Sequence, residues 1–285
     1  MSISWSQGVA SRQGGSVDPV DIVALMALRG SVEDEAPRLA SDLGTTAYET
    51  GLLLRSPAPV LLLRTDDRPR ALALLTTLRE RGHDAVACDA SAVVSTEAMI
   101  QVRAFRLEPE ALVIPAGAGR AEEERVAWDE IVALVRAMHR TRTEHIEKNA
   151  ERKFSLGRAA LSGGVLVTKT VTNTTKHTSE EREQVLYVYR RTAIPLLVVQ
   201  SRARYEGLGS ELRPSQIENF TTLIRVLRER APDAAYDERL LAPRPGVDRV
   251  RAGAAGSSSA SSSDGIDLLA HVIALAGSRA ARPYR

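Results

Sequence analysis

The run VDIVALMAL, Val20 to Leu28, decides how the first part of this chain is read, together with SVEDEAPRLASDLGTTAYETGLLL, Ser31 to Leu54, which follows it. The first run is apolar except for Asp21, and Gly30 ends it. Its length and continuity fit a strand buried on both faces or a short helix. Ala36, Leu39, Ala40 and Leu43 then recur at helical spacing and make one apolar face. Ser31 or Asp34 can cap that helix, and Pro37 argues for the later start, because proline is tolerated in a first turn. Gly44 suits its stop. Thr46 and Glu49 have the spacing of a capping box, and Leu52, Leu53 and Leu54 give a second helix its apolar surface.

Outward from there, Ser56, Pro57 and Pro59 break the chain and Val60 to Leu63 reads as a strand. Asp66 or Asp67 caps a third helix through Arg81, with Ala71, Leu74, Leu75 and Leu78 inward and Gly82 after it. Ala85 to Cys88 is a short strand. The order implies a small α/β sandwich over residues 18–90, large enough to fold alone. Residues 1–17 read as a disordered start.

The order of these elements and the segment Gly44 to Leu54 resemble the C-terminal domain of the bacterial ribosomal stalk protein. Gly44, Glu49, Leu53, Pro59, Leu74, Leu78 and Gly82 match its pattern, and the likeness covers residues 19–90. The resemblance implies the sandwich fold. In that family, lysines in this stretch contact translation factors; here Tyr48 and Gly51 stand at the matching positions, so the factor-binding activity does not follow from the fold.

Residues 99–242 are expected to form a β-rich, barrel-like domain ending in a helix. Gln101 to Arg106 and Ala111 to Ile114 flank a Glu108-Pro109-Glu110 turn. Arg125 to Trp128, Gly164 to Val171, Gln184 to Tyr189, Pro195 to Ser201 and Ala203 to Tyr205 read as further strands, whereas residues 131–138 fit strand or helix. Pro214 opens a helix carrying Ile217, Phe220, Leu223, Ile224 and Leu227 to about Arg230. Over residues 101–231 this order, with the Trp128-Asp129-Glu130-Ile131 turn, resembles a pleckstrin-homology-like barrel. Residues 243–265 read as a flexible linker, rich in Gly, Ala and Ser, and residues 266–277 as a short apolar helix stopped by Gly277. The fold class expected is α+β.

Composition narrows the function. The chain has 285 residues, 44% apolar, with a net charge of +2 and 4% aromatics. That balance argues against a general nucleic-acid binder or a base-stacking platform. One cysteine, Cys88, excludes an internal disulfide and fits a reducing, cytoplasmic setting. No run is long enough to suggest membrane insertion.

No cofactor or metal is expected. His83, His139, His145, His177 and His271 lack the spacing of a zinc site, and His83 after a helix-ending glycine suits a cation at a helix C-terminus. Ser155 to Arg158, Ser162 to Gly164 and Ala116 to Arg120 are Gly-containing loops without the ending of a phosphate loop. An enzyme site could be assembled only from scattered residues such as Asp129, Glu130, His139 and Arg140.

Two stretches stand out. Residues 140–182 hold nine basic and five acidic residues, a net of +4, and all four lysines of the chain: Lys148, Lys153, Lys169 and Lys176. They form a solvated hairpin or a surface for an anionic partner. Leu268, Leu269, Val272, Ile273 and Leu275 make the tail helix apolar, so it must dock on its own domain, on another copy or on a protein partner. The expected function is a non-enzymatic intracellular interaction or scaffolding module using these two stretches, with RNA or ribosome association and an unrecognised enzyme as alternatives.

Overall fold

The structure, a computed structural model, describes residues 20–117, 122–154, 168–243, 249–252 and 257–280; side chains are described over the same residues except 142–179, 249–261 and 280. The chain divides into two compact units, one of Met1–His139, Glu183–Val247 and Ser263–Arg285, the other of Arg140–Arg182 and Asp248–Ser262. The fold is α+β.

In the first unit, β1 (Asp21–Ala27) is the centre of a three-stranded antiparallel sheet, flanked by β2 (Val60–Thr65) and β3 (Asp84–Asp89). The apolar run is thus a strand, buried on both faces except at its last residue. Val23 and Leu25 face a core built with α1 (Val32–Leu43), α2 (Ala47–Leu54) and α3 (Arg68–Glu80), through Leu39, Leu54, Leu74 and Leu78. Ala24 and Met26 face a second core on the other side.

Local chemistry sets the helix ends. The Ser31 hydroxyl accepts the Asp34 N–H at 3.1 Å, so α1 starts early and Pro37 lies inside it, not in the first turn as expected. Pro37 and Glu33 are both exposed, so the Glu33 carbonyl left without its helical donor meets solvent. Gly44 closes α1 at φ 70°, the left-handed conformation that glycine adopts freely. Thr46 and Glu49 form the full capping box of α2, and Asp67 caps α3.

The same unit holds a larger open sheet. Within it β8 (Ile131–Phe154, of which residues 131–139 belong to this unit), β9 (Thr168–Arg190, of which residues 183–190 do), β10 (Leu196–Val199) and β4 (Ile100–Gln101) are hydrogen-bonded neighbours in that order, and β11 (Ala235–Leu240) runs parallel to β8. A small sheet of β5 (Arg106–Leu107), β6 (Ala111–Ile114) and β7 (Glu124–Ala127) follows β4 in sequence. Strand alternation divides the large sheet between two cores. Leu134, Leu186, Val188 and Val198 pack with Phe220, Leu223 and Leu227 of α4 (Gln216–Arg230). Val135, Val185, Tyr187, Leu197 and Val199 pack with Leu269, Val272 and Ile273 of α5 (Ser263–Ala280). The α5 core also takes Ala24, Met26 and Val86 from the three-stranded sheet. One helix therefore lies between two sheets.

In the second unit, β12 (Arg249–Ala252) pairs antiparallel with β13 (Ser257–Ser261), and β13 pairs antiparallel with β8 from Ser257↔His145 to Ser261↔Thr141.

Several expectations are corrected. The sheets are open and do not close into a barrel. Residues 243–265 are not all linker: they contain β12 and β13, because a Ser-rich stretch can pair through its backbone once a neighbouring strand offers partners. The tail helix runs from Ser263 to Ala280, beyond residues 266–277, and Gly277 lies inside it. A Cβ at Gly277 would stand 2.4 Å from the Ala235 Cβ, so this glycine permits close packing on β11 and is no stop signal. Gln101 to Arg106 splits into two short strands, and Ala203 to Tyr205 is not a strand. Residues 131–138 are strand. The disordered start and Gly164 to Val167 lie outside the described residues. Among the described residues no helix is long and apolar enough to cross a membrane.

Candidate functional site

The tail helix is the first sequence-derived candidate. Leu269, Val272 and Ile273 are at most 4% exposed, and Leu268 packs partly buried against the same core. This face, expected to meet a partner, is covered by the chain itself, because two sheet faces of matching apolar character flank it. Leu275 is half-buried.

The polar anchor of α5 is Asp267, 1% exposed. Thr96 donates to it twice, from its backbone N–H to Oδ2 and from its hydroxyl to Oδ1, each at 2.7 Å. The Tyr187 hydroxyl donates to Oδ1 at 2.7 Å. Having given its proton there, Tyr187 accepts from His139, so the 2.6 Å contact assigns the hydrogen to Nε2 of His139. Burial raises the Asp267 carboxyl above its usual range, opposed by these three hydrogen bonds. Burial likewise raises the Tyr187 and Tyr189 phenols and lowers His139 and His271 to about 4. Tyr189 stacks on Tyr187 and meets the His271 ring edge-on at 6.2 Å, and its buried hydroxyl has no hydrogen-bond partner. Thr96, Tyr187 and Asp267 were not among the sequence candidates. The one legible signal was a single acid in the apolar run of residues 266–276.

A second cluster ties the helices of the first sheet. Arg81 bridges Glu35 and Asp42 at 2.7 Å each, and the Glu35 carboxylate lies 3.3 Å from Nε2 of His83. The Arg29 N–H donates to Nδ1 of His83 at 3.0 Å. His83 is 4% exposed and packs between the Glu35 carboxylate and the Arg29 backbone. Cys88 is a partly buried thiol pushed up to about 11, chiefly by burial.

The outer side of α1 and α2 is different. Tyr48 is 74% exposed and Leu52 52%, and at i and i+4 they share one face of α2. Beside them an open groove of about 340 Å³ is lined by Val32, Ala36, Pro37, Ala47, Tyr48 and Gly51, with the Arg55–Glu33 ion pair at its edge. A Cβ at Gly51 would stand 3.8 Å from that of Ala36, an ordinary van der Waals contact between the two helices.

The remaining candidates do not converge. Lys148 and Lys153 lie on β8 and Lys169 and Lys176 on β9, with side chains outside the described residues. Asp129 and Glu130 are exposed in a turn before β8, while His139 lies eight residues along that strand, about 26 Å away at strand rise. Arg140 uses its backbone to bond Ser262. Residues 118–120 and 155–167 fall outside the described residues, and with them most of the Gly-containing loops. Among the described residues no cluster of His, Cys, Asp or Glu could hold a metal ion. No family model matches the chain, and neither a curated protein nor a solved structure does.

Proposed function

We propose that this chain is a protein-interaction module whose contact surface is the α1–α2 face, working in the reducing cytoplasm that a single cysteine suits. The observation that carries this reading is the exposed Tyr48–Leu52 pair beside the groove, where Tyr48 is the most exposed large apolar side chain among the described residues. The partner segment is an amphipathic helix laying one or two apolar anchors between α1 and α2. Burying a side chain of this size contributes about 1.5–3 kcal/mol, enough for a tenfold or greater change in affinity per anchor. The likeness to the stalk-protein domain supports the reading, since that family meets its factors through the matching stretch. The replacement of lysines by Tyr48 and Gly51 shifts the chemistry from charge to apolar contact.

The test is selection of helical 15-residue peptides on the intact chain, followed by fluorescence anisotropy. Tyr48→Ser and Leu52→Ser each weaken binding at least tenfold, while Leu72→Ser, at a 48% exposed position on α3, leaves it unchanged. Equal binding to all three variants, or no peptide enriched, overturns the proposal.

A further inference from the structure

The seat of α5 combines apolar burial with ionisable groups that tolerate one charge state. We propose that α5 is an acid-released latch: protonation of His271 and His139 unseats this helix from between the two sheets while the remainder of the first unit stays folded.

The geometry supports this in three ways. First, His271 sits half-buried on α5 one turn after Asp267, with its ring edge-on to Tyr189, which belongs to the core that α5 fills. Second, the ionisable groups around the two histidines offer little compensation for a new positive charge. The elements packed against α5 carry Tyr187 and Tyr189 on β9, His139 on β8, Tyr236, Asp237, Glu238 and Arg239 on β11, Asp21 on β1, Asp84, Cys88 and Asp89 on β3 and Glu97 before β4, with Asp267 and Arg279 on α5 itself. Asp267 already accepts from Thr96 and Tyr187. Around His139, Glu183 and Glu97 favour the charge and Arg202 opposes it, and Glu183 is held by Ser201 at 2.9 and 2.7 Å. Third, α5 is held by this one seat: Asp267 is its polar anchor and its apolar face packs on both sheets.

The sign follows from linkage. A histidine lowered to about 4 when seated, but ordinary at about 6.5 when released, binds more protons in the released state across that window. Stability of the seated state is therefore complete above about pH 6.5 and falls as pH drops toward 4. From pH 7 to pH 5 the release equilibrium rises about 20-fold per histidine, about 500-fold for two. Asp267, raised by burial, acts in the opposite direction, because its protonation relieves the seated state.

Hydrogen exchange of the full chain at pH 7 and pH 5, corrected for intrinsic exchange rates, reads this directly. The expected result is a loss of protection in α5 of more than 100-fold relative to α4 and α1. The double variant His139→Gln/His271→Gln keeps α5 protected at pH 5. Unchanged α5 protection, loss spread evenly over α1 to α5, or the same acid loss in the double variant overturns the latch. If the double variant does not fold at pH 7, the wild-type ratio of α5 to α4 protection decides alone.

Discussion

Asp267 shows how much one side chain sets in this structure. Its carboxylate, 1% exposed, collects three donors, and each such bond to a charged group contributes about 1.5–3 kcal/mol. Asp267→Asn keeps the shape but turns an amide N–H toward the Thr96 N–H or hydroxyl, leaving at least one buried donor unsatisfied. Urea unfolding should show a loss of about 1–3 kcal/mol. No change in midpoint would mean the carboxylate is not the anchor described. Tyr48 is the opposite case: an aromatic ring left 74% in solvent where a lysine or alanine would serve the helix as well, which is why it draws the functional reading.

Among the elements, two helical glycines separate propensity from packing. Gly51 in α2 meets only the flexible end of Arg55 at 3.3 Å and Ala36 at 3.8 Å, so Gly51→Ala should stabilise by up to about 1 kcal/mol. Gly277 in α5 faces the Ala235 Cβ at 2.4 Å, so Gly277→Ala should destabilise by about 1–3 kcal/mol through overpacking. Thermal melts of the two variants should move in opposite directions, and a shared direction would contradict the packing of α5 on β11. The contrast also marks where the sequence was legible. The first three helices announce most of their ends: Gly44, Thr46-x-x-Glu49 and Gly82 are used as read, whereas Asp67 is chosen over Asp66 and Ser31 caps α1 although Pro37 argued for the later start. Gly277 carries the same letter as a stop but has no such role, since only the distance to β11 distinguishes the two uses. β11 was missed altogether: its residues, Ala235 to Leu240, alternate weakly, and its pairing partner lies about a hundred residues earlier.

At the scale of the molecule, α5 makes residues 18–90 dependent on the far end of the chain. Ala24, Met26 and Val86 are 0–3% exposed because α5 covers them, not because of anything within the first ninety residues. A fragment of residues 18–90 should therefore unfold at lower urea than the same region in the full chain, or self-associate through the uncovered sheet face. Sedimentation and urea titration monitored in parallel would check this. A monomeric fragment as stable as the full chain would show that the sandwich is independent, as its length alone suggests.

Local chemistry by itself determined the α+β class, the order of elements from Ser31 through Cys88, the helix ends at Gly44, Thr46 and Gly82, and the apolar stripe of α5. All of these rest on contacts within a few residues, which composition and spacing encode directly. Tertiary structure decided that the sheets stay open, that a Ser-rich stretch becomes β13, that Thr96, Tyr187 and Asp267 meet across up to 171 residues of sequence, and that the tail helix is internal to the fold. The physical reason is the same in each case. An apolar face states that it must be covered, and only the assembled chain states by what.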